Sequence, residues 1–184
     1  MKYLKQSDFD KIGIVARHCD LRKLGIAEME AFEFDLQAML CDYFFEVEEN
    51  WESKDEEWDK ILNGTDWESC NGKKRRHRGL KTLLTYITYS RYVVLGQFDD
   101  TAGGIASKTA DFTMLKPLSE IKDFSNKYRG MATKVWEDVR DYLCFIGWKL
   151  KGCGGCKCGG GCKSNSNTRM FGANPSNVNK YGVQ

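Results

Sequence analysis

Hydrophobic residues recur at the spacing of an α-helix in four stretches of the chain. The pattern predicts helices over residues 8–18, 27–45, 80–98 and 118–147. Ser7 and Ser119 are the expected N-caps of the first and fourth helices, because a serine hydroxyl accepts hydrogen bonds from exposed amides at a helix start. Between the first two helices, residues 20–25 interrupt the pattern and predict a break.

The second predicted helix carries two hydrophobic stripes. One stripe comprises Met29, Phe32, Leu36, Met39, Leu40 and Tyr43. A second stripe beside it comprises Phe34, Ala38, Cys41 and Phe45. The helix over 80–98 is also apolar on two faces, which predicts a central position. A helix with two apolar faces packs against two neighbours, so these helices offer more contact area than a small bundle needs. The predicted core stripe of the fourth helix comprises Ile121, Phe124, Tyr128, Met131, Val135, Val139, Tyr142 and Ile146.

Turn signals separate the helices. Asn71-Gly72 lies between two short segments and predicts a β-hairpin, because this dipeptide favours the tight turn that joins antiparallel strands. Short extended pieces are expected around 104–107 and 112–115. The fold class predicted is mainly α: a small four-helix bundle with an extended loop or hairpin.

Composition divides the chain into two parts. Residues 1–150 form the predicted helical domain, and residues 151–184 form an arm rich in Gly, Cys and Asn. The arm has too few large apolar side chains to offset the entropy of ordering, so we expect it to be flexible until it meets a partner. The N-terminus lacks the apolar core of a signal peptide, and no apolar run is long enough for a bilayer. We therefore expect no membrane association and reduced cysteines.

Two charged runs stand out against a net charge of +2. Residues 46–59 are acidic, and residues 73–78 are basic. The basic run is interpreted as a contact for an acidic protein surface, with phosphate binding as the alternative. We favour protein contact because no aromatic residues alternate with the basic ones and the overall charge is near balance. The acidic run is a possible counterpart, within one subunit or between neighbours.

No catalytic constellation is visible in the sequence. The two histidines, His18 and His77, form no nucleophile–base–acid pattern, and the carboxylates form a surface run rather than an isolated pair. We therefore expect a protein that is not an enzyme and that holds no cofactor. The tail cysteines could bind zinc or an iron–sulfur cluster, but their crowded spacing favours a mobile tail with incidental thiols; they are Cys153, Cys156, Cys158 and Cys162.

The candidate interface residues are basic, aromatic or isolated apolar side chains in polar surroundings. They are Lys73, Lys74, Arg75, Arg76, Arg78, Trp51, Trp58, Met170, Phe171 and Tyr181.

Several segments resemble the head-to-tail connector (adaptor) proteins of tailed bacteriophages, in particular those of crAss-like phages that infect Bacteroidetes. The resemblance spans about residues 1–150 and is carried by 58–64, 78–81, Tyr86, 89–92, 100–108 and 141–144. It implies a small helical bundle with an extended loop or hairpin, without catalytic residues.

The resemblance also implies an assembly. Members of that family form a ring in the neck of the virion, commonly twelvefold, beneath the portal protein. The expected partners are therefore further copies of this chain, the portal, other neck or tail proteins, and the genomic DNA that passes through the ring. The expected location is the virion neck, with the host cytoplasm as the site of assembly. The Gly/Cys-rich tail departs from the family pattern, in which a C-terminal arm reaches onto the portal.

Overall fold

The computed structural model describes residues 1–12, 20–101, 104–107 and 117–150, and side chains in 1–12, 20–98 and 117–150. The structure is mainly α-helical, which confirms the predicted fold class. The helices are α1 (Gln6–Asp10), α2 (Leu21–Glu30), α3 (Gln37–Leu40), α4 (Phe44–Glu49), α5 (Glu56–Asn63), α6 (Gly79–Leu95) and α7 (Leu118–Phe145). The strands are β1 (Thr65–Glu68), β2 (Lys74–His77), β3 (Phe98–Thr101) and β4 (Gly104–Ser107).

Helix α6 lies at the centre of the fold, as the sequence predicts. It packs against α2, α5 and α7, and its buried residues include Leu80, Leu83 and Leu84. The helix ends at Leu95 rather than continuing to residue 98. Phe98 instead begins β3, which pairs with β4 in an antiparallel hairpin. The extended piece expected at 104–107 is therefore confirmed, whereas 112–115 lies outside the described residues.

The helical segment 21–49 begins earlier than the sequence pattern indicates. The Asp20 side chain accepts hydrogen bonds from the amides of Arg22 and Lys23, at 3.0 and 3.2 Å, and so caps α2. The break predicted over 20–25 is thus wrong, because Asp20 starts a helix there. A π-helical stretch, Ala31–Leu36, follows α2, and a 3₁₀ turn, Cys41–Tyr43, joins α3 to α4.

Helix α1 is capped differently from the prediction. Lys5 is its N-cap residue, and the Asp8 carboxylate accepts a hydrogen bond from the Lys5 amide at 2.8 Å. Ser7 lies inside the helix. The C-terminal part of the predicted helix, including His18, falls in residues 13–19 and lies outside the described residues.

A buried carboxylate fastens the N-terminus to α2. Glu28 is fully buried and accepts hydrogen bonds from the amides of Lys2, Tyr3 and Leu4, at 2.7, 3.1 and 2.5 Å. These bonds satisfy a charge that would otherwise be costly to bury. Tyr3 then stacks on Phe32 with ring centroids 3.6 Å apart, which completes the aromatic part of the core.

Helix α7 packs along α6 and extends past it. It has 28 residues against 17 in α6, about 42 Å against about 25 Å in length. Pro117 stands at the N-cap, so Ser119 lies in the first turn instead of capping the helix. The helix ends at Phe145, close to the predicted end, and Gly147 follows with a φ of 102°.

The β-hairpin predicted at Asn71-Gly72 is confirmed. Strands β1 and β2 pair antiparallel, with Thr65 opposite His77 and Glu68 opposite Lys74. Gly72 has a φ of 69°, a conformation that glycine adopts without steric cost. No described helix has an apolar stretch sufficient to cross a bilayer. Cys144 is disulfide-bonded, so the expectation of reduced thiols is wrong for this residue.

Candidate subunit interface

One apolar surface lies on the helical segment 21–49. Phe32, Leu36 and Leu40 of the first stripe are buried, although Met29 at its start is 51% exposed. In the second stripe Phe34, Ala38 and Phe45 are exposed. Phe34 and Phe45 are 63% and 65% exposed. The sequence predicts that both stripes contact neighbouring helices, and within the described part of the subunit only residues of the first stripe are buried.

A second set of exposed apolar side chains lies along α7, interrupted by the exposed Asp138 between Met131 and Phe145. Phe124, Met131 and Phe145 are 41%, 36% and 42% exposed. Their separations of seven and fourteen residues place them on one line of the helix, because seven residues make nearly two turns. The sequence pattern assigned Phe124 and Met131 to the core stripe. In the structure Tyr128, Val135, Val139 and Tyr142 of that stripe are buried as predicted, whereas Phe124 and Met131 are exposed.

The two sets of exposed apolar side chains lie on separate elements: Phe34 on the π-helical stretch, Phe45 on α4, and Phe124, Met131 and Phe145 on α7. Helix α6 packs against α2, the π-helical stretch and α7. We call the first surface, with Phe34 and Phe45, the stripe face, and the second, with Phe124, Met131 and Phe145, the α7 face.

The first hairpin sits on the C-terminal end of α7. Trp67 lies directly opposite Arg75, so both side chains project from the same side of the hairpin. Trp67 packs against Phe145 with ring centroids 4.8 Å apart, and the Arg75 guanidinium lies 5.7 Å from the Trp67 ring centre. Arg75 also donates a hydrogen bond to Asp141 at 2.6 Å. The hairpin thus extends the α7 face with an aromatic and charged edge.

Carboxylates near the basic run 73–78 neutralise much of its charge. Arg76 forms a bidentate pair with Asp66, its cross-strand neighbour, and this contact lowers the pKa of Asp66. Glu68 stands opposite Lys74. These partners are not the acidic residues 46–59 that the sequence analysis suggested.

The rest of the run divides between surface and core. Lys73 and Arg78 are exposed. Burial and the neighbouring Asp141 raise the pKa of the Asp138 carboxyl, and the positive charge of Arg78 opposes this rise. His77 is 1% exposed and burial lowers its pKa to about 4, so it is neutral at pH 7. The run is therefore a mixed-charge surface rather than a uniformly cationic one.

Most carboxylates of the acidic segment 46–59 are not neutralised by a described cation. Among the described ion pairs, Glu48 pairs with Lys2 and Glu56 with Lys60, each at an exposed site. The other carboxylates of the segment are exposed and pair with no described cation; they are Glu46, Glu49, Glu52, Asp55, Glu57 and Asp59. This part of the surface is consequently strongly negative.

The aromatic interface candidates have different positions. Trp51 is 3% exposed, and its indole N–H donates to the Tyr3 carbonyl at 2.8 Å. Trp51 thus has a role inside the subunit rather than at its surface. Trp58 is half-buried beside Trp148, with ring centroids 6.2 Å apart. The arm candidates Met170, Phe171 and Tyr181 lie outside the described residues, as do the four tail cysteines.

The part of the chain that the structure describes contains no group of three or more His, Cys, Asp or Glu side chains arranged to hold a metal ion.

Three residues of this candidate interface are not among those predicted from the sequence: Phe145, Asp66 and Asp141. Phe145 was not assigned to a surface, although its spacing from Phe124 and Met131 is a readable signal. Asp66 was not recognised as the partner of Arg76, although counting back from the Asn71-Gly72 turn places the two residues opposite each other. Asp141 carries no such signal, because its contact with Arg75 depends on how the hairpin docks on α7.

Comparison with known proteins adds a family but no activity. The chain matches no curated protein and no solved structure. The sequence profile of a family of unknown function (DUF6712) matches residues 37–156, which includes the acidic segment, the first hairpin, α6 and α7. The chain therefore belongs to this family of unknown function, DUF6712.

Proposed function

We propose that this protein is a structural, non-enzymatic subunit that assembles into a ring in the neck of a tailed bacteriophage, between portal and tail, and surrounds the DNA channel. The place in the virion comes from the resemblance to connector proteins. The observation that supports self-assembly is the presence of two sets of exposed apolar side chains, the stripe face and the α7 face, on different elements of one subunit.

Two unlike faces favour a particular kind of assembly. When the stripe face of one copy binds the α7 face of the next, the contact is head-to-tail and repeats around a ring if the rotation closes. Burying a large apolar side chain contributes roughly 1.5–3 kcal/mol, so Phe34, Phe45, Phe124 and Met131 together supply a substantial driving force. An interface between two copies of the same face would instead stop at a dimer.

The charge distribution is compatible with a channel wall. The basic run is largely neutralised within the subunit, by Asp66 and Asp141 in particular. A wall past which DNA slides must not hold phosphates tightly, because each phosphate contact adds salt-dependent affinity. A mixed-charge surface meets this requirement.

Electron microscopy tests the proposal directly. The full-length protein at micromolar concentration should form closed rings in negative stain, and co-expression with the portal protein from the same genome should give rings stacked on the portal. A protein that stays monomeric with and without the portal would contradict the proposal. The neighbouring genes provide an independent check, since portal and tail genes are expected beside this one.

A nucleic-acid-binding module is the alternative function. One observation favours it: the structure brings Trp67 next to Arg75, so an aromatic ring accompanies the basic run after all. Aromatic rings beside cations are typical of single-strand binding surfaces. Salt-dependent DNA binding that is lost in a Lys73→Glu/Lys74→Glu variant would support this alternative, whereas the same affinity in that variant and the wild type would eliminate it.

A further inference from the structure

Most carboxylates of the acidic segment 46–59 lack a cationic partner within the described part of the fold. It contains eight acidic residues and a single basic one, Lys54. Six of its carboxylates are exposed and unpaired with described cations, as shown above. Like charges held this close repel each other, so the segment is stabilised by any cation-rich chain that reaches it.

The chain leaves the helical domain beside this segment. Trp148 stacks on Tyr43 with ring centroids 4.4 Å apart and contacts Trp58. The Lys149 amide donates a hydrogen bond to the Tyr43 hydroxyl at 2.9 Å, and Leu150 is buried. Trp58 lies within the acidic segment, and Tyr43 is one helical turn before Glu46. The described part of the chain therefore ends against residues within and just before the acidic segment.

The arm 151–184 has the complementary charge. It contains five basic residues and no acidic residue, whereas residues 1–150 contain 23 basic and 26 acidic residues. The basic residues of the arm are Lys151, Lys157, Lys163, Arg169 and Lys180. The net charge of +2 is thus the sum of a negatively charged domain and a positively charged arm.

The arm is also long enough to cover the segment. A glycine-rich chain of twenty residues spans roughly 25 Å on average, which takes Met170 and Phe171 anywhere along α4 and α5. A tether of this length holds the arm at a local concentration on the order of millimolar, so weak contacts suffice.

We propose that the cationic arm, residues 151–184, docks on the acidic segment 46–59 of its own subunit. Lysine and arginine side chains of the arm neutralise the exposed carboxylates on α4 and α5, and the arm follows the surface from the point where Trp148 and Leu150 anchor it. The basic run 73–78 is a poorer partner, because Asp66 and Asp141 already occupy Arg76 and Arg75. This proposal does not depend on ring formation.

Zero-length carbodiimide cross-linking of the full-length protein tests the docking. This reagent joins lysine amines to carboxylates in direct contact, and mass spectrometry identifies the pairs. We expect links from Lys157, Lys163 and Lys180 to carboxylates of segment 46–59. Raising the salt concentration to about 1 M, where the Debye length is about 3 Å, should suppress them. Because the contact is within one subunit, a mixture of isotopically light and heavy protein should give cross-links only between two light peptides or between two heavy peptides.

A charge-reversal variant provides the specific control. In Glu46→Lys/Glu49→Lys/Glu52→Lys, links to the unchanged Asp55, Glu57 and Asp59 should fall at least roughly fivefold. The matched variant Asp123→Lys reverses an exposed carboxylate near the far end of α7 and should leave them unchanged. Circular dichroism confirms that each variant is folded.

Three results would overturn the proposal. Links spread equally over the exposed carboxylates of the domain, including Asp123, would mean that the arm has no preferred site. Unchanged links in the triple variant would show that the charges of Glu46, Glu49 and Glu52 are not recognised. Links mainly between light and heavy chains would place the arm on a neighbouring copy. Rings seen by electron microscopy would remain valid evidence for the proposed function in all three cases.

Discussion

The imidazole ring of His77 stacks on the phenol ring of Tyr142, with centroids 4.2 Å apart and an angle of 21° between the planes. His77 is the last residue of β2, and Tyr142 lies in the C-terminal part of α7. The contact joins the first hairpin to the helical bundle. Neither ring nitrogen of His77 has a hydrogen-bond partner among the described residues. A proton on this ring would be buried without compensation.

Acidification should therefore weaken the fold through His77. Burial lowers its pKa to about 4, against an ordinary value of 6.5. Between these values the unfolded chain binds a proton and the folded chain does not, so the free energy of unfolding falls as pH decreases from about 6.5 to about 4, by roughly 2–3 kcal/mol. Urea denaturation at pH 7, 5.5 and 4 measures this. The variant His77→Phe should lose that part of the pH dependence; identical profiles would refute the assignment.

Arg91 should be important for the stability of the π-helical stretch. Its guanidinium donates to Asp35 at 2.6 Å and to Glu30 at 2.9 Å, and its side chain is 20% exposed. Arg91→Leu leaves two carboxylates without their cation, and we expect a loss of about 2–3 kcal/mol in chemical denaturation. Arg91→Lys should lose less, because it keeps the charge but not the forked geometry.

The exposed pair of Arg75 and Asp141 offers a matched control for that measurement. Both side chains are more than 40% exposed, so Arg75→Leu should cost less than about 1 kcal/mol. Equal losses in the Arg91 and Arg75 variants would show that burial does not distinguish the two ion pairs.

Relieving backbone strain at Cys41 should stabilise the protein. Cys41 has φ 51° and ψ −116°, which side chains rarely adopt and glycine tolerates. Strain of this kind costs roughly 1–3 kcal/mol. Glycine removes the strain but loses more backbone entropy on folding than alanine does, which offsets part of the gain in stability. We expect Cys41→Gly to be about 1 kcal/mol more stable than Cys41→Ala in thermal or urea unfolding. A less stable glycine variant would contradict the strained geometry.

Gly79 should not tolerate a side chain. Its φ is 81°, and a Cβ there would lie 2.3 Å from the Leu62 carbonyl oxygen. Because the obstacle is backbone, Gly79→Ala should cost more than about 3 kcal/mol or prevent folding. Gly130→Ala is the control: nothing lies within 4 Å of its Cβ position in α7, so alanine should raise the melting temperature. A Gly79→Ala variant as stable as the wild type would contradict the close crossing.

Local patterns in the sequence predicted much of this fold, because they depend on neighbouring residues. The hairpin at Asn71-Gly72 and the central helix α6 are both read from short spacings. The start of α2 is not predicted by the apolar pattern, which is interrupted over 20–25, although Asp20 is a good capping residue. The phase of the second helix was harder to predict, since a π-helical stretch changes which residues share a face.

The candidate interface was less predictable because exposure depends on the lengths and positions of neighbouring helices. Phe124 and Tyr128 both fit the apolar stripe of α7, yet only Tyr128 is buried against the core. Likewise Trp51 and Trp58 are both tryptophans in an acidic run, and only the structure separates the core residue from the surface one. Helical spacing alone does not give this information.

The most direct test of head-to-tail assembly is native mass spectrometry of two complementary variants. Phe34→Ser/Phe45→Ser disables the stripe face, and Phe124→Ser/Met131→Ser disables the α7 face; Leu21→Ser, which alters another exposed apolar residue, is the control. The wild type and the control should form one closed oligomer of the 21.1 kDa chain, and each variant alone should be monomeric. Mixing the two variants should give heterodimers and nothing larger, because one intact pair of faces remains. Variants that still form the full oligomer, or a mixture that stays monomeric, would contradict the account.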